Sequence, residues 1–159
     1  MPLDAAAIMT RDVVTVGPDD RVPDIARRLA ERGISAVPVC DKDGKVLGMI
    51  SEGDLLRPFR QTHLLQREWW LNVLAEGEQL APSFLDYIRL DQRRARDLMT
   101  TPVITVTETT PATEIAELLD KHHIKRVPVV RDGKLVGIVS RADLIRAIAQ
   151  SPEALAGSV

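Results

Sequence analysis

Two stretches of this sequence set a hydroxyl and a carboxylate at the same spacing behind a glycine: Gly48, Ser51 and Asp54, then Gly137, Ser140 and Asp143. A serine at a helix N-cap with an acid three residues on forms an acidic variant of the capping box, which contributes about 0.5 to 2 kcal/mol per cap. The same residues could also do chemistry. Where a strand runs into a helix, a hydroxyl, a carboxylate and free helix N–H groups surround one opening. A carboxylate accepts the two hydroxyls of a ribose, and a helix N-terminus tolerates phosphate. The structural and chemical readings are compatible.

The signature occurs twice because the chain says nearly the same thing twice. Ile8 to Arg57 reappears as Leu98 to Arg146. Met9-Thr10 matches Met99-Thr100, and Val13 to Val16 matches Val103 to Val106. Ile25, Ala26 and Leu29 match Ile115, Ala116 and Leu119; Val37-Pro38-Val39 matches Val127-Pro128-Val129; Asp43-Gly44-Lys45 matches Asp132-Gly133-Lys134. A shared core explains the apolar matches, but the kept Gly, Ser, Asp and Thr need a further reason. One fold unit is therefore used twice.

Each copy opens on a β-branched run, Val13 to Val16 or Val103 to Val106, followed by turn residues. Asp20 and Thr110 are natural N-caps for the helix that follows, with Pro111 suited to its first position. Val22, Ile25, Ala26 and Leu29 keep the i, i+3, i+4, i+7 spacing of one buried helix face, as do Ala112, Ile115, Ala116 and Leu119. Gly33 suits the C′ position that ends the first of these helices. Two strands follow in each copy, Ala36 to Cys40 with Val46 to Ile50 and Val127 to Val130 with Leu135 to Val139, joined by Asp-Gly turns. A short helix starting near Ser51 or Ser140 closes the unit, giving β-α-β-β-α. Pro38 and Pro128 cannot donate to a ladder, so their strand is an edge or has its N–H side free.

These patterns divide the chain into a first repeat over 1–57, an insert over 58–95, a second repeat over 96–150 and a tail over 151–159. The insert is too long for an unstructured connection. Leu64, Leu65, Trp69, Leu71, Val73 and Leu74 mark one helix, and Phe84, Leu85, Tyr87 and Ile88 a second. Trp69 and Trp70 point about 100° apart on a helix, so one of them faces away from the core its neighbour joins.

Composition excludes several functions. At 159 residues and 45% hydrophobic, the chain can bury one good core or two small ones that lean on each other. A net charge of −2 and an aromatic content of 3% argue against a nucleic-acid partner. No apolar run approaches the roughly 18 residues that span a bilayer, and no secretory leader is evident, so the expected setting is soluble and cytoplasmic. Cys40, the single cysteine, sits among Val37, Val39 and Val46 as a small core residue. His63, His122 and His123 do not form a ligand set, and the usual phosphate-loop, dinucleotide and zinc-protease motifs are missing, so no metal and no required cofactor are expected.

Together, the repeated S-x-x-D, Val-Pro-Val, Asp-Gly turn and Thr-bearing first strand resemble CBS domains, and the pair resembles a Bateman module. The resemblance covers 8–57 and 98–146, and the helical insert resembles that of bacterial stand-alone CBS-pair proteins. It implies an α/β (α+β) fold of two pseudo-twofold-related repeats packed into one module. It also implies clefts between the repeats that bind adenosine-containing ligands such as AMP, ADP, ATP, S-adenosylmethionine or NAD, and dimerisation into a flat disc.

Carried onto this chain, the resemblance assigns ribose to Asp54 and Asp143, with Ser51 and Ser140 assisting. Adenine would lie against Val14, Thr15, Ile34 and Ala36 in the first copy. In the second it would lie against Ile104, Thr105, Ile124 and Arg126, at the start of the strand carrying Val127 and Pro128. Basic residues before that strand meet phosphate in such modules. Here the copies differ in charge: Lys125, Arg126 and Arg141 stand where the first repeat has Ser35, Ala36 and Glu52. The leading expectation is a regulatory adenine-nucleotide sensor that forms a homodimer. The alternative is a protein-interaction module without a physiological nucleotide, using the Trp69 and Trp70 helix. An enzyme of the IMP dehydrogenase type, into which CBS pairs are inserted, would need a separate barrel domain for which the chain has no residues, and no nucleophile with a base is present.

Overall fold

The computed structural model describes residues 3–61 and 92–153. The expected insert helices, with Trp69 and Trp70, lie outside the described residues. In chain order the described elements are α1 (Ala5–Ile8), α2 (Val22–Arg32), β1 (Ala36–Cys40), β2 (Val46–Ser51) and α3 (Glu52–Gln61). They continue with α4 (Ala95–Leu98), β3 (Val106–Thr107), α5 (Ala112–Lys121), β4 (Arg126–Arg131), β5 (Lys134–Ser140) and α6 (Arg141–Gln150).

The helix faces legible in the sequence are the buried ones: Val22, Ile25 and Leu29 on α2, and Ala112, Ile115 and Leu119 on α5. Ile25 and Ile115 are wholly buried, and each such side chain contributes about 1.5 to 3 kcal/mol. Gly33 ends α2 in the left-handed region at φ 61°, where a side chain would be strained. The equivalent position of α5 has no glycine, and His123 takes the left-handed conformation instead, at φ 54°.

The helix starts differ from the sequence expectation by one residue. Arg21 and Pro111 occupy the N-cap positions, without side-chain caps. Asp20 and Thr110 close the preceding turns instead: the Asp20 carboxylate accepts from Gly17 N at 2.8 Å, and Thr110 Oγ1 from Thr107 N at 3.0 Å. A side chain that reaches back three residues satisfies the turn it ends rather than the helix it precedes.

Strand pairing gives one sheet of order β1-β2 and a second of order β3-β4-β5. The opening β-branched runs pair far less than their composition suggests. Only Val106 and Thr107 form a strand, parallel to Val129 and Val130, while Val16 makes a single parallel bridge to Val39. Pro128 stands opposite Ile138 in the β4–β5 ladder. Ile138 exchanges both of its backbone hydrogen bonds with Thr10, at 2.8 and 2.9 Å, so it faces away from β4 and asks no donor of Pro128. The proline therefore sits in a middle strand at a position where the ladder needs no N–H.

The chain packs as two compact units that interleave along the sequence. Among the described residues, unit 1 takes those up to Val14, Cys40–Val46 and those from Pro102 onward; unit 2 takes Thr15–Val39 and those from Leu47 to Thr101. The core of unit 1 joins Ala5 and Met9 to Val106, Ile115, Leu119, Val127, Val129, Val139 and Leu144. Ala5 N donates to the Thr110 carbonyl and Ala112 N to the Leu3 carbonyl, so α1 is built into this unit. In unit 2, α4 is held the same way: Ala95 N donates to the Asp20 carbonyl and Arg96 N to the Pro18 carbonyl.

Candidate functional site

Asp54 and Asp143 are each 4% exposed and are the only buried charged or polar residues among those described. Burying a carboxylate is costly unless donors replace its water. At the start of α6, Asp143 Oδ2 accepts from Ser140 N at 2.8 Å and from Ser140 Oγ at 3.1 Å, while Asp143 N donates back to Ser140 Oγ at 3.3 Å. Its Oδ1 accepts from Arg146 Nη1 at 3.0 Å and from Thr10 Oγ1 at 3.3 Å. At the start of α3, Asp54 Oδ2 accepts from Ser51 N and Oγ at 2.9 and 3.1 Å, and Thr100 Oγ1 lies 3.3 Å from Oδ1. The capping box read from the sequence is thus formed in both units, and each buried carboxylate is held by more than its own helix.

The Met-Thr pairs and the signature glycines explain one another. A Cβ on Gly48 would stand 2.8 Å from Met99 Cγ, and one on Gly137 would stand 2.8 Å from Met9 Cγ, closer than real Cβ atoms approach. The methionine occupies the space that the glycine leaves, and the threonine beside it reaches the aspartate. The pairing crosses the repeats, because Met9-Thr10 precedes the first repeat's helix but serves Gly137 and Asp143 of the second. The repeated Met-Thr was visible in the sequence, while its partner, far away along the chain, was not.

Register and one backbone bond gather the basic residues around this junction. Arg126 stands opposite Ser140 across β4 and β5, and Arg141 N donates to the Lys125 carbonyl at 3.1 Å. Lys125 and Arg141 are exposed and Arg126 is half-buried. In unit 2 the same backbone bond runs from Glu52 N to the Ser35 carbonyl at 2.9 Å, so the charge contrast between the repeats falls on geometrically equivalent positions.

Of the remaining residues singled out from the sequence, Ala36, Val127 and Pro128 lie in strands and the others in connecting segments. Ile104 and Ile124 are half-buried against the core of unit 1, and Thr105 is exposed. Val127 and Pro128 are fully buried in β4, so a ligand there would meet backbone rather than side chain. In the first copy Val14, Thr15 and Ile34 are half-buried and Ala36 is buried. Val14 belongs to unit 1 and Thr15 to unit 2, and the Thr15 carbonyl accepts from Arg28 Nη1.

Cys40 is 8% exposed, and burial together with the neighbouring Asp41 pushes its thiol up to about 11. It therefore stays protonated and unreactive near neutral pH. No group of three or more His, Cys, Asp or Glu side chains suited to a metal ion occurs among the described residues. No helix among them is long and apolar enough to cross a membrane.

Residues 5–60 and 95–150 match the model of the CBS domain, and the chain belongs to that family as a tandem pair. MJ1426, an uncharacterized protein of Methanocaldococcus jannaschii, is 34% identical over 163 residues, with 89% of this chain and 88% of that protein covered. MK0525 of Methanopyrus kandleri is 31% identical over 87% of this chain, which spans only 59% of that protein's length. Among solved structures, the complex of CBSX2 with AMP superposes with a TM-score of 0.71 at 28% identity, covering 94% of this chain and 98% of that one. CBSX2 is a CBS domain-containing protein of Arabidopsis thaliana.

Proposed function

We propose that this chain is a regulatory module that senses an adenosine-containing nucleotide of the AMP, ADP or ATP type through the junctions at Ser140–Asp143 and Ser51–Asp54. The observation that carries this reading is the buried, hydroxyl-supported carboxylate at a helix start, present in both units. A helix start favours anionic groups, and an oriented carboxylate suits the paired hydroxyls of a ribose. The likeness to CBSX2, solved with AMP, supports the same ligand class.

A carboxylate offers about four lone-pair sites, and Asp143 already receives Ser140 N, Ser140 Oγ, Arg146 Nη1 and Thr10 Oγ1. A ribose hydroxyl therefore joins by exchange. The donor that yields at least cost is Arg146, whose side chain is 61% exposed and returns to water. The role is regulatory rather than catalytic: the carboxylates act as acceptors, and the chemistry of the ligand is left unchanged. A reducing cytoplasmic setting fits the one buried free thiol, Cys40. Titration calorimetry of the chain with AMP, with GMP as control, tests this reading. Saturable AMP binding that Asp143→Asn weakens is the expected result, and equal response to both nucleotides speaks against it.

A homodimer belongs to the same proposal. Ile145 and Ile148 on α6 are 64% and 44% exposed, one helical turn apart, and so form an apolar stripe that a second copy would cover. Sedimentation at tens of micromolar should show a dimer, and a monomer under those conditions removes this part of the reading.

A further inference from the structure

We infer that Thr10 and Thr100 are positioning residues for the two nucleotide sites, each serving the aspartate of the opposite repeat. This rests on the nucleotide reading above and adds a component that the signature motif does not contain. Thr10 Oγ1 lies 3.3 Å from Asp143 Oδ1, and Thr100 Oγ1 lies 3.3 Å from Asp54 Oδ1 and 3.4 Å from Oδ2. The same relationship occurs independently in both units, with backbone support in each. Thr10 and Ile138 exchange two backbone hydrogen bonds, as do Thr100 and Met49, at 2.8 and 3.2 Å.

The threonine hydroxyl is thus delivered from a strand-like pairing beside the last strand, not from a mobile side-chain tip. Ser140 and Ser51 fix the Oδ2 oxygen of each carboxylate through the capping box. Rotation about the bond between the carboxylate carbon and Cβ moves both oxygens, and the threonine on Oδ1 adds a second anchor against it to the one the serine gives Oδ2. The two hydroxyls together fix the plane of the carboxylate and hence the direction from which a ribose hydroxyl, exchanging with a weakly held donor such as Arg146, meets it. Arg146 also reaches Oδ1 of Asp143, but from an exposed side chain that gains little by staying.

Each site is therefore completed by chain from the other repeat, and the coupling must be crossed. The test is a double-mutant cycle on the full chain, with AMP affinity and thermal stability measured for every variant. Thr10→Val should weaken AMP at the Asp143 site about tenfold, and Thr10→Ser should restore it. The Thr10→Val effect should vanish in an Asp143→Asn background and persist in an Asp54→Asn background. A purely structural role predicts instead a drop in stability that does not depend on which aspartate is replaced. Should Thr10→Val cost the fold, Thr100→Val against Asp54→Asn poses the same question in unit 2.

Unchanged or tighter AMP binding by Thr10→Val, or additivity with Asp143→Asn, overturns the inference while leaving the nucleotide reading intact. Tighter binding would identify the threonine hydroxyl as a competitor of the ligand. Failure of the wild-type chain to bind AMP, ADP or ATP overturns both.

Discussion

Met9 fills the space in front of Gly137: a Cβ on that glycine would stand 2.8 Å from Met9 Cγ and 3.1 Å from the Thr10 carbonyl oxygen. Gly137 is held at this position by close packing rather than by backbone conformation, and the contact ties the opening segment of the chain to β5. Its mirror in unit 2 is Met99 against Gly48.

Gly137→Ala should accordingly destabilise the fold by about 1 to 3 kcal/mol, the usual cost of overpacking a filled site. Gly53→Ala is the control, since a Cβ there meets only Ser51 Oγ at an ordinary 3.6 Å; inside α3 it should be neutral or stabilise by about 0.5 to 1 kcal/mol. Urea denaturation of both variants checks the pair. Equal stability of Gly137→Ala and wild type would show that Met9 moves aside freely.

Asp143→Ala should cost about 1 to 3 kcal/mol of stability, because it removes a carboxylate only 4% exposed and leaves the half-buried Ser140 N–H and hydroxyl without that acceptor. Position N3 alone, read from sequence, suggests about 0.3 to 1 kcal/mol; the added cost comes from burial. Asp143→Asn retains an acceptor oxygen, and so should separate the roles, losing at least about 1.5 kcal/mol of nucleotide affinity for a smaller shift in Tm. Calorimetry paired with thermal melts decides between them. Unchanged affinity alongside a large fall in stability would reduce Asp143 to a helix cap.

The two sites should differ in ligand charge. Lys125, Arg126 and Arg141 stand at the junction of unit 1 where unit 2 has Ser35, Ala36 and Glu52, and matching backbone bonds join Arg141 to Lys125 and Glu52 to Ser35. The unit 1 site should prefer multiply charged nucleotides and weaken as salt rises, the Debye length shrinking from about 10 Å at 0.1 M to about 3 Å at 1 M. The unit 2 site should favour adenosine. Calorimetry with adenosine, AMP and ATP at two salt concentrations, on wild type and Arg126→Glu, reads this directly. Equivalent sites with equal salt dependence would leave the basic residues as a solvated surface.

What the sequence revealed and what it concealed follow from the range of the interactions. The buried faces of α2 and α5, the Gly33 helix end, the Asp-Gly turns and the Ser-x-x-Asp capping boxes are local, and local spacing shows them. The opening runs Val13 to Val16 and Val103 to Val106 carry strand residues, yet each pairs at only one of its positions, Val16 or Val106, because pairing depends on a neighbour that composition does not specify. Asp20 and Thr110 have the chemistry of N-caps, and only geometry shows that they spend it on the preceding turn. The most consequential feature, Thr10 serving Asp143 and Thr100 serving Asp54, joins residues far apart in sequence. The repeat displayed the Met-Thr pairs but could not say that they trade partners.

Thermal unfolding of the full chain with adenosine, AMP, ADP and ATP decides whether it senses an adenine nucleotide. A ligand at about one hundred times its dissociation constant stabilises the native state by about 2.7 kcal/mol, which for a chain of this size raises Tm by about 5 to 10 °C. We predict such a shift with at least one adenine nucleotide, much reduced in Asp143→Asn. No shift with any of the four compounds at millimolar concentration, or a shift that Asp143→Asn and Asp54→Asn together leave unchanged, would contradict the account.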